Sequence, residues 1–237
     1  MKNCKLSGIS SLIALFIFLS QYGNSQTSKK ESFALTTTDN LIFSGVSAKP
    51  MEYKGKKSVR IEMEPGNKGG DAASFAKLKD IDFKDGIIEV SLVGKLAVNA
   101  PDWARAFVGI AFRINNDNSK FECFYLRPVN AQVSDPIRRS RSTQYISFPD
   151  YKFDRLRNES PGKYESYAAI APGEWIKVKI EVKGSLAKLY VNNSEQAVLI
   201  VNDLKHGADL HGSIGLWIDT GTEAYFSDLK ITYSLNK

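Results

Sequence analysis

Cysteine is almost missing from this 237-residue chain, which contains two. Cys4 lies in an apolar leader, so Cys123 is the single thiol of the part expected to fold and no intramolecular disulfide can form. Stability must come from packing. Histidine is as scarce: His206 and His211 sit in one Gly- and Asp-rich stretch, and their spacing supports neither a His-based nucleophilic triad nor a zinc cluster. No window of helical length carries an apolar residue every three or four positions, which excludes a helical bundle. Excess charge is small too. The formal +6 falls by the two leader lysines, Lys2 and Lys5, to about +4, too little for a nucleic-acid binder.

The leader has the layout of an export signal. Lys2 and Lys5 precede an apolar run from Ile9 to Leu19, too short to span a bilayer, and Gly23 and Ser25 occupy the small-residue positions of a cleavage site. Residues 1–25 are therefore expected to be removed, leaving 26–237 as one domain of about 210 residues, secreted or periplasmic, with no stable membrane insertion afterwards. Cys4 precedes the apolar run, so no lipid anchor is expected.

What is abundant is alternation. From Phe33 onward, short apolar–polar alternating segments are separated by Gly, Asn and Asp turns, which predicts an all-β chain with antiparallel hairpins in its first third. Ile176, Val178, Ile180 and Val182 alternate with Lys177, Lys179 and Glu181. After Lys183-Gly184 the alternation resumes through Ala187, Leu189 and Val191, giving a hairpin with one buried and one charged face. Phe107 to Arg113 and Phe121 to Arg127 are bulky on both sides. Val108, Ile110, Phe112, Phe124 and Leu126 are assigned to the core, and Phe107, Gly109, Ala111, Arg113, Cys123, Tyr125 and Arg127 to a second, ligand-facing side of a concave sheet. Between Pro128 and Pro172 regularity fades except at Gln144 to Phe148. A segment so rich in Tyr, Phe and Arg is expected to fold over that concave sheet, because burial of rings such as Tyr145, Phe148, Tyr151 and Phe153 must offset its ordering.

The ending Gly212-Ser213-Ile214-Gly215-Leu216-Trp217, followed by Phe226-Ser227-Asp228-Leu229-Lys230-Ile231, resembles the last two strands of laminin G-like and concanavalin A-like domains. With Gly109-Ile110-Ala111-Phe112-Arg113 and the strand after Gly173-Glu174-Trp175, the resemblance spans most of the mature chain. It is greatest to secreted Bacteroidetes-type laminin G-like or 3-keto-disaccharide hydrolase-like proteins. It implies a two-sheet antiparallel jelly-roll sandwich and an oligosaccharide or polysaccharide partner. It assigns no catalytic residue.

The residues themselves support recognition more than cleavage. The Glu-x-Asp-x-x-Glu motif of laminarinase-type glucanases is absent; Asp80-Ile81-Asp82-Phe83-Lys84-Asp85 has no glutamate and reads as a turn. Glu165, between Tyr164 and Tyr167, is the acid to examine for catalysis if burial raises its pKa, with an ion pair to Arg155 or Arg157 as the alternative. A basic set, Arg138, Arg139, Arg141, Arg155 and Arg157, is interleaved with tyrosines, a pairing suited to an acidic glycan; its alternative is loop stabilisation. The predicted contact set is Arg113, Tyr125, Arg127, Asn130, Arg141, Gln144, Tyr145, Tyr151, Arg155, Arg157 and Tyr164. No cofactor is required by any motif, though Asp203, Asp209 or backbone carbonyls leave calcium open. The competing readings are a glycoside-cleaving enzyme and an envelope interaction domain without a sugar ligand.

Overall fold

The computed structural model describes residue 1, residues 28–67 and residues 69–234. The proposed signal and its cleavage point before Gln26 lie outside the described residues, Met1 apart. Two antiparallel sheets pack face to face. Sheet A has the order β13-β12-β11-β6-β15-β4-β3, with β1 also on β15; sheet B runs β10-β9-β8-β7-β14-β5-β2. Strand bounds in sheet A are β1 Lys30–Phe33, β3 Val46–Tyr53, β4 Lys56–Met63, β6 Gly86–Leu96, β11 Ile176–Lys183, β12 Leu186–Val191, β13 Leu199–Val201 and β15 Thr222–Tyr233. In sheet B they are β2 Leu41–Ser44, β5 Phe75–Leu78, β7 Val108–Ile114, β8 Phe121–Leu126, β9 Thr143–Phe148, β10 Glu165–Ser166 and β14 Ser213–Ile218.

The β11–β12 hairpin forms where the alternation places it, with Lys183 opposite Leu186 across the turn. Ile176, Val178, Ile180 and Leu189 are buried between the sheets, as are Leu229 and Ile231 of β15, each such side chain contributing about 1.5–3 kcal/mol by leaving water. Lys177 and Lys179 stand on the opposite face of sheet A, where they help line a depression of about 510 Å³. The early strands are less local than expected. β3 and β4 are a hairpin, but β6 pairs with β11 and β15, partners far away in sequence.

Three short helices interrupt the long segment: α1 Pro128–Ala131, α2 Pro136–Arg139 and α3 Phe153–Glu159. Prolines open α1 and α2, where the missing N–H costs nothing, and the Asp135 side chain caps α2 through the N–H groups of Ile137 and Arg138. No helix among the described residues is long and apolar enough to cross a membrane.

The outward face of sheet B is not an open groove. Cys123, Tyr125, Ile146 and Trp217 lie on it, yet all are buried, because the 69–74 loop and α3 cover it. Trp217 donates its indole N–H to Ala72 O at 2.9 Å, and the N–H of Phe153 donates to Asp71 Oδ2 at 2.8 Å. Aromatic burial by Phe148 and Phe153 against this face, and by Tyr151 beside Ser147 and Lys205, holds the long segment down.

Candidate functional site

Where that cover stops, near the end of β8, a cleft of about 350 Å³ remains, lined by Gly70, Asp71, Trp103, Arg105, Phe107, Tyr125, Arg127, Asn130, Arg138, Arg141, Phe153, Arg157 and Asp219. Its floor depends on Gly109. That residue faces Tyr125 on one neighbouring strand and Trp217 on the other, and their rings stack with centroids 4.8 Å apart. A Cβ at Gly109 would lie 2.5 Å from Tyr125 Cβ, so a larger residue would push this floor apart.

Five guanidinium groups surround the floor, and they are held in two ways. Arg127 and Arg157 are anchored to Glu165: Arg157 binds it bidentately, Nε to Oε1 at 2.8 Å and Nη2 to Oε2 at 2.6 Å, while Arg127 Nη1 reaches Oε2 at 3.3 Å. Arg127 also donates to the Tyr125 hydroxyl at 2.8 Å and lies over the rings of Tyr125 and Phe153. Arg141 is 3.6 Å from Glu165 and 38% exposed. Arg105 and Arg138 differ. Arg105 donates to the carbonyls of Asp102 and Ala104, and Arg138 to Asn130 Oδ1 at 3.1 Å; among the described residues neither makes an ion pair. Burial, and then the charges of Arg138 and Arg127, push the Arg105 guanidinium below its ordinary pKa.

Two carboxyl groups share the cleft. Asp219 accepts the N–H groups of Gly70, Asp71 and Thr220. Asp71, 2% exposed, is pushed up to about 6, chiefly by burial and with help from the charge of Asp219; the Phe153 N–H and Arg127 oppose the shift. Ionised Asp71 thus costs stability, and that cost appears as pH rises through about 6.

Glu165 does not carry the raised pKa that a general acid would need. Burial pushes it up, but the hydrogen bonds from Arg157 and the charges of Arg157, Arg127 and Arg141 outweigh burial and hold it below the ordinary range. Since its folded-state value lies below the unfolded one, ionised Glu165 stabilises the fold at neutral pH, and this contribution disappears as pH falls below about 4. Glu165→Gln should be less stable than wild type at about pH 7, with the gap narrowing as pH falls below about 4, as read from urea midpoints. A gap that stays constant over this range would contradict the assignment.

Of the predicted contacts, Tyr125, Arg127, Asn130, Arg141 and Arg157 come together in the cleft. The others lie elsewhere. Arg113 sits at a β-bulge with φ of 55°, which turns it away from the second face and buries it. Tyr145 and Tyr164 lie at the inner side of sheet B, their hydroxyls donating to Glu122 and Asp203. Gln144 is buried and donates to the carbonyls of Tyr145 and Tyr164. Arg155 pairs with Glu159 and covers the half-buried ring of Tyr151, 4.1 Å from its centroid. Asp203 is bound by Lys163 and Lys205, and Asp209 by Lys84, so these two acids serve separate ion pairs; among the described residues no group of three or more His, Cys, Asp or Glu could hold a metal. The sequence reading missed Asp71, Trp103, Arg105, Phe153 and Asp219 as cleft residues and placed Arg138 in the basic set alone, whereas Phe107, assigned to the ligand-facing side, does line the cleft. The two-residue spacing of Trp103, Arg105 and Phe107 just before β7 was the available signal; Asp71 and Asp219 had none.

No protein-family model matches the chain, and no curated protein matches it. Solved structures do. A carbohydrate-binding module, CBM66, of Bacillus subtilis superposes with TM-score 0.50 at 15% identity, over 80% of this chain and 96% of its own. A Bacillus subtilis protein of unknown function with a galectin-like fold gives 0.51 at 12%, over 88% and 98%. Peanut lectin gives 0.50 at 9%, over 89% and 99%. The fold is the concanavalin A-like jelly roll. On this concanavalin A-like sandwich, the five-arginine cleft is built from the loops and helices laid over sheet B, so its chemistry follows from those segments.

Proposed function

We propose that the domain binds a carbohydrate through the arginine cleft, and that the sugar carries a carboxylate or sulfate. The supporting observation is that Arg105 and Arg138 face one small cleft without ion-pair partners among the described residues, beside a third cation, Arg127. Crowding like charges is unfavourable, and a bound anion relieves it through paired, charge-assisted hydrogen bonds. Trp103, half exposed at 54%, and Phe107 add flat apolar faces of the kind that pack on sugar rings. The sandwich architecture, shared with a carbohydrate-binding module and a lectin, fits this reading. Export through residues 1–25 would bring the cleft to glycans outside the cytoplasm, in keeping with a secreted or periplasmic site.

Calorimetric titration with matched neutral, uronate and sulfated oligosaccharides tests the proposal. Binding should be confined to the anionic members and weaken steeply between about 0.05 and about 0.5 M salt. Equal affinity for neutral and anionic chains, or insensitivity to salt, would remove the arginines from the explanation.

A further inference from the structure

Hydrolysis of a glycosidic bond requires two carboxyl groups facing each other across it, and this cleft is arranged otherwise. Asp71 and Asp219 are neighbours, Asp219 Oδ2 accepting the N–H of Asp71 itself at 2.8 Å. Glu165 is engaged by three arginines. What the cleft offers is Asp71, lining the cavity with its Oδ2 accepting the Phe153 N–H, amid guanidinium groups able to neutralise a sugar carboxylate, while Asp219 beside it is taken up by the N–H groups of Gly70, Asp71 and Thr220.

We propose that the cleft breaks chains of O4-linked hexuronates by β-elimination, with Asp71 as the catalytic acid–base group and Arg105, Arg138 and Arg141 holding the uronate carboxylate. The inference rests on the sugar-acid reading above. A carboxylate paired with guanidinium groups makes the neighbouring C5–H more acidic and stabilises the enolate-like charge that develops when the proton leaves. Asp71 carboxylate takes the C5 proton, and the electron pair of that C–H bond becomes the C4=C5 double bond. The C4–O4 bond breaks with its pair on O4, which receives the proton from Asp71. One fragment then ends in a free hydroxyl and the other in a 4,5-unsaturated uronate; no water, oxidant or cofactor is consumed. Burial lifts Asp71 to about 6, which leaves it ionised at neutral pH while making it a stronger base than an ordinary carboxylate.

The test incubates the full chain with 4-linked polygalacturonate, polyglucuronate and polymannuronate, following ultraviolet absorbance of the conjugated double bond and fragment masses, beside calorimetric binding to the same polymers. Growth of absorbance on at least one polymer, with fragment masses that sum to the substrate without added water, is expected. Turnover should fall as pH drops below about 6. Asp71→Asn should bind at least as tightly as wild type, since it removes a negative charge from the cleft, and turn over at least about a hundredfold more slowly. Binding without an unsaturated product overturns the elimination and leaves the sugar-acid reading standing, as do fragments carrying an added water. Absence of binding to every anionic chain removes both. Turnover retained in Asp71→Asn also overturns the proposal; should that variant fail to melt cooperatively, Asp71→Glu and the wild-type product masses decide.

Discussion

Arg105→Met combined with Arg138→Met should reduce affinity for an anionic oligosaccharide at least about a hundredfold, since each charge-assisted hydrogen bond is worth about 1.5–3 kcal/mol. The same double variant should melt no lower than wild type, and should melt higher if mutual repulsion dominates. The reasoning is electrostatic. The two guanidiniums hold carbonyl and amide oxygens but no carboxylate among the described residues, and burial, followed by the charges of Arg138 and Arg127, lowers the pKa of Arg105. Removing them therefore relieves repulsion in the free protein while stripping the ligand of its counter-charge, a trade between stability and function. In wild type, affinity should rise as pH falls through about 6, because protonating Asp71 removes a negative charge from the cleft. Calorimetry and thermal melts on one preparation read both quantities. A double variant that binds normally, or that melts well below wild type, would show these arginines to be structural.

The largest loss of stability should come from a different arginine. Arg113 is fully buried, and its guanidinium donates to Lys84 O at 2.8 Å, Gly207 O at 3.0 Å, Gly184 O at 2.8 Å and Asp85 Oδ1 at 3.0 Å. It therefore joins a strand of sheet B to the turn before β6, the β11–β12 turn and the loop after β13. Arg113→Met leaves Asp85 without its cation and three carbonyls without this donor, and removal of one partner from a buried ion pair costs about 3–5 kcal/mol. For a domain of this size, that lowers the melting midpoint by roughly 6–20 °C. Arg113→Lys should recover little, since one ammonium cannot span the same fork of acceptors. A urea-derived loss below about 1 kcal/mol for Arg113→Met would mean that water or rearranged turns replace it.

Arg113 also shows where reading by alternation stops. Period-two assignment holds for Ile110, Phe112, Phe124 and Leu126, and for Cys123, Tyr125 and Arg127 on the other side, because the backbone there is regular. One residue at positive φ breaks the count, and nothing in Gly109-Ile110-Ala111-Phe112-Arg113 announces it. Tyr145 and Tyr164 were misplaced for a related reason: which way β9 and the segment before β10 face is fixed by distant partners, Glu122 and Asp203. The cleft residues legible in sequence, Tyr125, Arg127, Asn130, Arg141 and Arg157, come from one basic and aromatic neighbourhood. Asp71, Arg105 and Asp219 reach it from three other loops through strand pairings in sheet B between segments far apart in sequence, which leave no short-range pattern.

The pairing of β1 with β15 gives the molecule a polarity. Lys30 lies opposite Thr232, so both ends of the described fold leave from one margin of sheet A. Asp219, on the cleft, sits just before the other end of β15, whose twelve residues span roughly 35 Å. The two ends of the described fold thus lie at the margin of sheet A remote from the cleft mouth, and a polymer can approach the arginines without crossing them.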